Sequence, residues 1–186
     1  MSQQTGHPHL ATRSRERTGV RQAADDDIAE LVRLRASLFD DLGGDFFNPA
    51  SAGDDWRVAL VAVLKEKLAS EDTRILVVDG DDDSDGDGDG GSGSGGRLAA
   101  CGIGTVDQWF PGPHSRNGRV GHVIGVVTDP AHRRRGHSRA IMRGLLGWFR
   151  ERDVSRVDLS ASAEGEPLYR ELGFVDHPDP SLYWRP

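Results

Sequence analysis

Val126-Val127-Thr128-Asp129-Pro130-Ala131-His132-Arg133-Arg134-Arg135-Gly136-His137-Ser138-Arg139-Ala140 is the stretch whose reading decides the fold of this chain. The β-branched run Val126, Val127 and Thr128 ends a strand, Asp129-Pro130 breaks it, and a helix begins at about Gly136. A strand that turns directly into a helix brings unpaired N–H groups and the positive end of the helix dipole to one point, which makes an anion site. Gly136 allows the backbone close approach to a phosphate, where a Cβ would intrude. Arg133, Arg134, Arg135 and Arg139 add positive charge around that point. A pyrophosphate fits this description.

Working outward, Arg119–Val127 is the strand that enters the turn, and the helix leaving it runs from about Gly136 to Arg152. That helix buries Ile141, Leu145, Trp148 and Phe149. Arg156–Ala161 alternates as a strand with Val157, Leu159 and Ala161 inward. A short helix from about Glu164 carries Leu168, Tyr169 and Leu172 and stops at Gly173, and Phe174-Val175 with Leu182–Trp184 is expected as a final hairpin. Upstream, Thr18–Ala23 is a strand. A helix capped by Asp25 then presents Ile28, Leu31, Val32, Leu38 and Phe39 on one face until Gly43-Gly44. A second helix from Asp54 or Asp55 carries Trp56, Leu60, Val61, Leu64 and Leu68. Thr73–Val78 and Leu98–Val106 are strands. The order β-α-α-β-β-β-α-β-α-β-β is a single-domain mixed α/β fold.

Two segments stand outside this body. Residues 1–17 are polar, lack an apolar h-region and are expected as a disordered leader. Residues 79–96 are almost wholly Asp, Gly and Ser, too poor in apolar surface to fold, and are expected as a flexible insertion between two strands. The domain proper is 18–186. Asp79, Asp81, Asp82, Asp83, Asp85, Asp87 and Asp89 of the insertion account for the whole formal charge of −7, so the body is near neutral and carries no nucleic-acid signature. The Asp81-x-Asp83-x-Asp85-Gly86 run has Ser92 where a calcium loop needs Glu, and no metal is expected. One cysteine excludes internal disulfides. No run approaches the roughly 18 apolar residues of a membrane helix, so a cytoplasmic protein without membrane contact is expected.

Nucleotide-binding signatures are missing: there is no Gly-x-x-x-x-Gly-Lys-Ser/Thr, and Gly102-Ile103-Gly104 lacks the third glycine of a dinucleotide turn. Arg133-x-x-Gly136-x-Ser138 instead resembles the central Gln/Arg-x-x-Gly-x-Gly/Ala motif of the GNAT superfamily, the acyl-CoA-dependent N-acetyltransferases. Ser138 departs from the usual Gly/Ala but is small. Leu168-Tyr169-Arg170-Glu171-Leu172-Gly173-Phe174 resembles the family's Leu-Tyr-x-x-x-Gly-Phe ending at the expected distance, and the resemblance spans roughly Thr18–Trp184.

The resemblance implies a largely antiparallel sheet flanked by helices, with a splay between two central parallel strands. It also implies acetyl-CoA as acyl donor, with the backbone of Val126, Val127 and Thr128 along the pantetheine arm and the N–H groups of Arg134, Arg135, Gly136, His137, Ser138 and Arg139 around the pyrophosphate. A strand N–H near Val126 or Val127 would polarise the thioester carbonyl. Tyr169 matches the family tyrosine that protonates the departing thiolate; the alternative is a core tyrosine. His122 lies where some relatives place a catalytic carboxylate, and a histidine can take a proton from an ammonium at neutral pH. Asp107 is the other base candidate, and both compete with purely structural roles. His132 and His137 are expected to face solvent, and Cys101 to be a buried small hydrophobe. The acceptor is a small-molecule or peptide amine, its wall drawn from Trp56, Trp109 and Phe110, and a homodimer remains open. A non-catalytic acyl-CoA-binding module is the competing function.

Overall fold

A computed structural model describes residues 19–42, 53, 55–81, 96–182 and 184. The expected leader, the Gly43-Gly44 stop and most of the acidic insertion lie outside the described residues. β2 (Thr73–Asp79) shows how the layers are built. Its Ile75 and Val77 join one core cluster and its Leu76 and Val78 another. All four are buried because helices cover both faces, which is why the strand reads as a continuous apolar run. On one face lie α1 (Ile28–Leu42) and α2 (Asp55–Leu68), with Ile28, Leu31, Leu34 and Leu64 buried. On the other lies α3 (His137–Glu151), burying Ile141, Met142, Leu145, Trp148 and Phe149, with Tyr169 and Leu172 packed beside it from the region of α4 (Glu166–Glu171).

The sheet runs β1 (Val20–Gln22), β2, β3 (Leu98–Gln108), β4 (Arg119–Thr128), β5 (Arg156–Leu159). Neighbours are antiparallel except β4 and β5, which are parallel. β3 pairs with β4 up to Ala100↔Thr128, whereas the β5 pairing stops at Val123↔Leu159. Beyond that point the β5-facing edge of Ile124–Thr128 has no partner strand among the described residues. This is the splay, and it leads straight into the turn before α3.

The helix–sheet approach also explains glycines that resembled a nucleotide turn. A Cβ on Gly102 would lie 2.4 Å from Ile141 Cγ2, and one on Gly104 would lie 2.9 Å from the Phe149 ring. They are there so that α3 can sit close to β3.

Two expectations need correction. Asp25 does not cap α1. The chain enters through a 3-10 turn, Asp25–Asp27, capped by Ala24, whose N–H donates to the Asp27 carboxylate at 2.8 Å. Asp27 is buried because Arg21 grips it with two bonds of 2.7 and 2.8 Å while also holding Asp79. The final hairpin is also absent: no described residue after α4 is in a strand. Pro178 and Pro180 remove ladder donors, and Val175 and Leu182 are exposed rather than packed. The parallel pair therefore lies at one edge of the described sheet.

Candidate active site

The turn between β4 and α3 is built around Asp129, whose carboxylate is 1% exposed. It accepts the Ala131 N–H at 3.0 Å, Arg33 Nη1 at 2.6 Å and Arg97 Nη2 at 3.1 Å, fixing the Pro130–His132 3-10 turn against α1. Burial pushes its pKa up, but the Ala131 N–H and the two guanidiniums outweigh that and hold it well below the usual carboxylate range. Glu30 extends the network by accepting from Arg33 and from the Leu98 N–H. The sequence-level expectation that His132 faces solvent fails here: the ring is buried, with Nδ1 3.7 Å from Asp129 Oδ1. Its place in the turn, over Gly80, is set by the Asp129 network.

Arg134 and Gly136 have φ of +65° and +83°, and α3 starts at His137 with Gly136 as its cap. Left-handed residues ahead of a helix start turn successive N–H groups inward into a nest, while His137, Ser138 and Arg139 have N–H groups without an intrahelical carbonyl. Among the described residues, nothing beyond its chain neighbours lies within 4 Å of a Cβ placed on Gly136, so the concavity is open there. Ser138 Oγ and Thr128 Oγ1 are 2.8 Å apart, tying the helix start to the strand end. The motif's arginines do not form a block of free cations. Arg133 pairs with Asp41, Arg135 with Asp81 at 2.5 Å and Arg139 with Glu171 at 2.5 Å. These exposed pairs are worth little and exchange readily. Burial and the neighbouring His132 and Arg135 charges lower the His137 pKa, keeping that ring neutral. The candidate anion site is thus chiefly backbone.

Gly121 and Val123 point at α3, where Gly121 meets the Phe149 ring and Val123 joins the α3 cluster. Strand alternation sends His122 to the other face. There its Nε2 lies 3.4 Å from Asp107 Oδ2, and Trp109 stacks nearby at 6.2 Å. The two base candidates are therefore one pair. Tyr169 packs on the α3 side, edge-on to Phe174 at 6.0 Å, together with Val126 and Leu159. Burial raises its pKa, and its hydroxyl has no hydrogen-bond partner among the described residues. Cys101 is buried, its thiol pushed up to about 12 by desolvation, so it is no nucleophile. Of the aromatics, Trp56 packs against Phe39 at 5.4 Å, Trp109 stands by His122, and Phe110 is fully exposed.

Residues 37–174 match the Acetyltransferase (GNAT) family. The chain belongs to that family. It is 40% identical over 81 residues to glucosamine 6-phosphate N-acetyltransferase 1 of Oryza sativa subsp. japonica, covering 44% of this chain and 47% of that protein. It is 33% identical over 76 residues to glucosamine 6-phosphate N-acetyltransferase of Trypanosoma brucei brucei, covering 40% and 52%. The matches thus span about half the length of these curated relatives. A predicted acetyltransferase from Clostridium acetobutylicum, solved with acetyl-CoA, superposes with a TM-score of 0.72 at 21% identity, over 90% of this chain and 96% of that one. The family fold is the five-stranded mixed sheet described above, and among the described residues no helix is long and apolar enough to cross a membrane.

Proposed function

We propose that this protein transfers the acetyl group of acetyl-CoA to a primary amine of a small molecule or peptide, by direct attack on the thioester. The observation that carries the reading is the unpaired β5-facing edge of Ile124–Thr128 running into the open turn at Gly136. An extended amide-containing arm finds strand-like partners along Val126, Val127 and Thr128, and a diphosphate finds the N–H groups from Arg134 to Arg139. Acetyl-CoA supplies an activated acyl group and a thiolate leaving group.

The chain's own residues do the rest. The N–H groups of Val126 or Val127 polarise the acyl oxygen. His122, oriented by Asp107, takes the proton from the incoming ammonium. Tyr169, on the opposite face, gives a proton to the sulfur. Acid and base thus stand on the two sides of the sheet, with the splay between them. Glucosamine 6-phosphate, for which two relatives are named, is the first acceptor to try.

Calorimetric titration with acetyl-CoA, against adenosine diphosphate as control, tests the donor site. Thiol release in the presence of amines tests transfer. Saturable acetyl-CoA binding followed by amine-dependent thiol release is the expected result. Binding without turnover on any amine would instead mark a non-catalytic module, and no binding would overturn the donor assignment.

A further inference from the structure

Among the described residues, Arg35 is a charge without a counter-ion. Most other half-buried guanidiniums near the site have a carboxylate: Arg33 has Glu30 and Asp129, Arg21 has Asp27 and Asp79, and Arg133 has Asp41. Arg35 has none among the described residues. Its guanidinium lies over the Phe39 ring at 4.9 Å and makes one long bond, 3.4 Å, to the Ile124 carbonyl. It occupies an apolar depression walled by Leu38, Leu60 and Leu64 of the helices and by Ile103, Gly125 and Val127 of the sheet. Among the lining residues it is the only charged one. Desolvation there lowers its pKa, as expected for a cation whose water has been replaced by hydrocarbon.

Position gives this a meaning. Gly125 belongs to the unpaired stretch of β4, and a Cβ on it would sit 2.7 Å from Arg35 Nη1. The guanidinium therefore presses on the splay from the α1–α2 face. His122, three residues earlier on β4, faces the same side. Three residues of strand separate the two by roughly 10 Å. Building on the acetyl-transfer reading, we propose that Arg35 is the receptor for an oxyanion carried by the acceptor, so that the acceptor is an amine bearing a phosphate or carboxylate several bonds from its nitrogen. A guanidinium fork matches either group with two parallel bonds, and the attraction is strongest where water is excluded. The anion would be drawn to Arg35 while the amine comes to rest beside His122.

The test follows the Arg35 Nε–H resonance in acetyl-CoA-treated protein, assigned by its loss in Arg35→Gln. Titrants are glucosamine 6-phosphate and glucosamine, which lacks the anion, as one pair, 6-aminohexanoate and its amide as the other. The expected result is a saturable shift with the oxyanion-bearing member of one pair and none with the partner that lacks the oxyanion, which also tells phosphate from carboxylate. Arg35→Gln should weaken that ligand about ten- to hundredfold and leave acetyl-CoA affinity, read by calorimetry, unchanged. Arg35→Met, which removes an unpaired charge from an apolar site, should remain folded and show the same loss. A resonance that no oxyanion-bearing titrant moves would overturn the proposal, as would equal loss of turnover on acceptors with and without the oxyanion, which would put Arg35 on the transition state instead. Acetyl-CoA binding is read separately, so failure of the donor site would not be mistaken for failure of Arg35.

Discussion

The hydroxyls of Thr128 and Ser138 lie 2.8 Å apart and join the last residue of β4 to the first turn of α3. Ser138 is the position at which this chain departs from the family's small-residue motif. The departure has a structural use: it clamps the turn from which the helix N–H groups project. The cradle is then held by a side-chain bond as well as by the Asp129 network.

Ser138→Ala should therefore lower stability by about 1 kcal/mol, the worth of one partly buried hydrogen bond. Acetyl-CoA affinity should change by less than about tenfold, because the proposed diphosphate partners are backbone groups. Urea unfolding and calorimetry read the two effects separately. A large affinity loss with unchanged stability would show that the hydroxyl itself contacts the ligand.

Gly136 and Gly147 form a matched pair of glycines with open space around the missing Cβ. At φ of +83°, Gly136→Val should cost about 1–3 kcal/mol in backbone strain and weaken acetyl-CoA more than about tenfold, since the side chain would occupy the concavity. Gly147 lies inside α3, and Gly147→Ala should raise stability by about 0.5–1 kcal/mol without touching binding. Equal effects at the two sites would contradict the cradle.

Asp129→Asn should cost about 3 kcal/mol, because it removes the buried carboxylate that joins the Ala131 N–H, Arg33 and Arg97. The sign of its pH dependence follows from the depressed pKa. Its stabilisation is present above the unfolded-state value near 3.8 and is lost as pH falls through the lower folded value. Acid unfolding monitored by circular dichroism should thus lose part of its steepness below about pH 4 in the variant. An acid limb identical to wild type would remove Asp129 from this role.

Tyr169→Phe should reduce kcat by about a hundredfold, with the KM for acetyl-CoA nearly unchanged. Because burial raises the Tyr169 pKa above its ordinary 10, the acid stays protonated through neutral pH and fails only as pH rises past that raised value. The alkaline fall in wild-type kcat should accordingly lie above pH 10. A fully active variant would return Tyr169 to the core beside Phe174.

His122→Gln should lower kcat while leaving acetyl-CoA binding intact. Asp107→Asn should lower kcat less, because it acts by orienting the imidazole. A variant pair with reversed severity would make Asp107 the base.

The strands, helices and the turn at Asp129–Gly136 were legible in the residues because each rests on local rules: β-branched runs, apolar spacing, and glycine where φ is positive. The β-branched run of β2 marked a strand, and the motif pointed to a candidate anion site at a helix start. What misled were positions where a distant partner overrides a local preference. Asp25 is a reasonable cap by type, but Arg21 and the Ala24 N–H recruit Asp27 instead. His132 is polar and lies in a turn, yet its ring is buried.

The sequence by itself determined the element order up to the last short helix, the family and the location of the proposed donor site, since these depend on contacts between near neighbours in the chain. Only the tertiary structure decided that His122 and Asp107 lie side by side. Their meeting depends on the β3–β4 register and its irregularity at Ile103/Gly104, which no single strand encodes. Likewise only packing revealed that three motif arginines are already paired and that Arg35 is not. Ion pairing and desolvation are set by residues brought together from across the chain, and linear spacing carries no record of them.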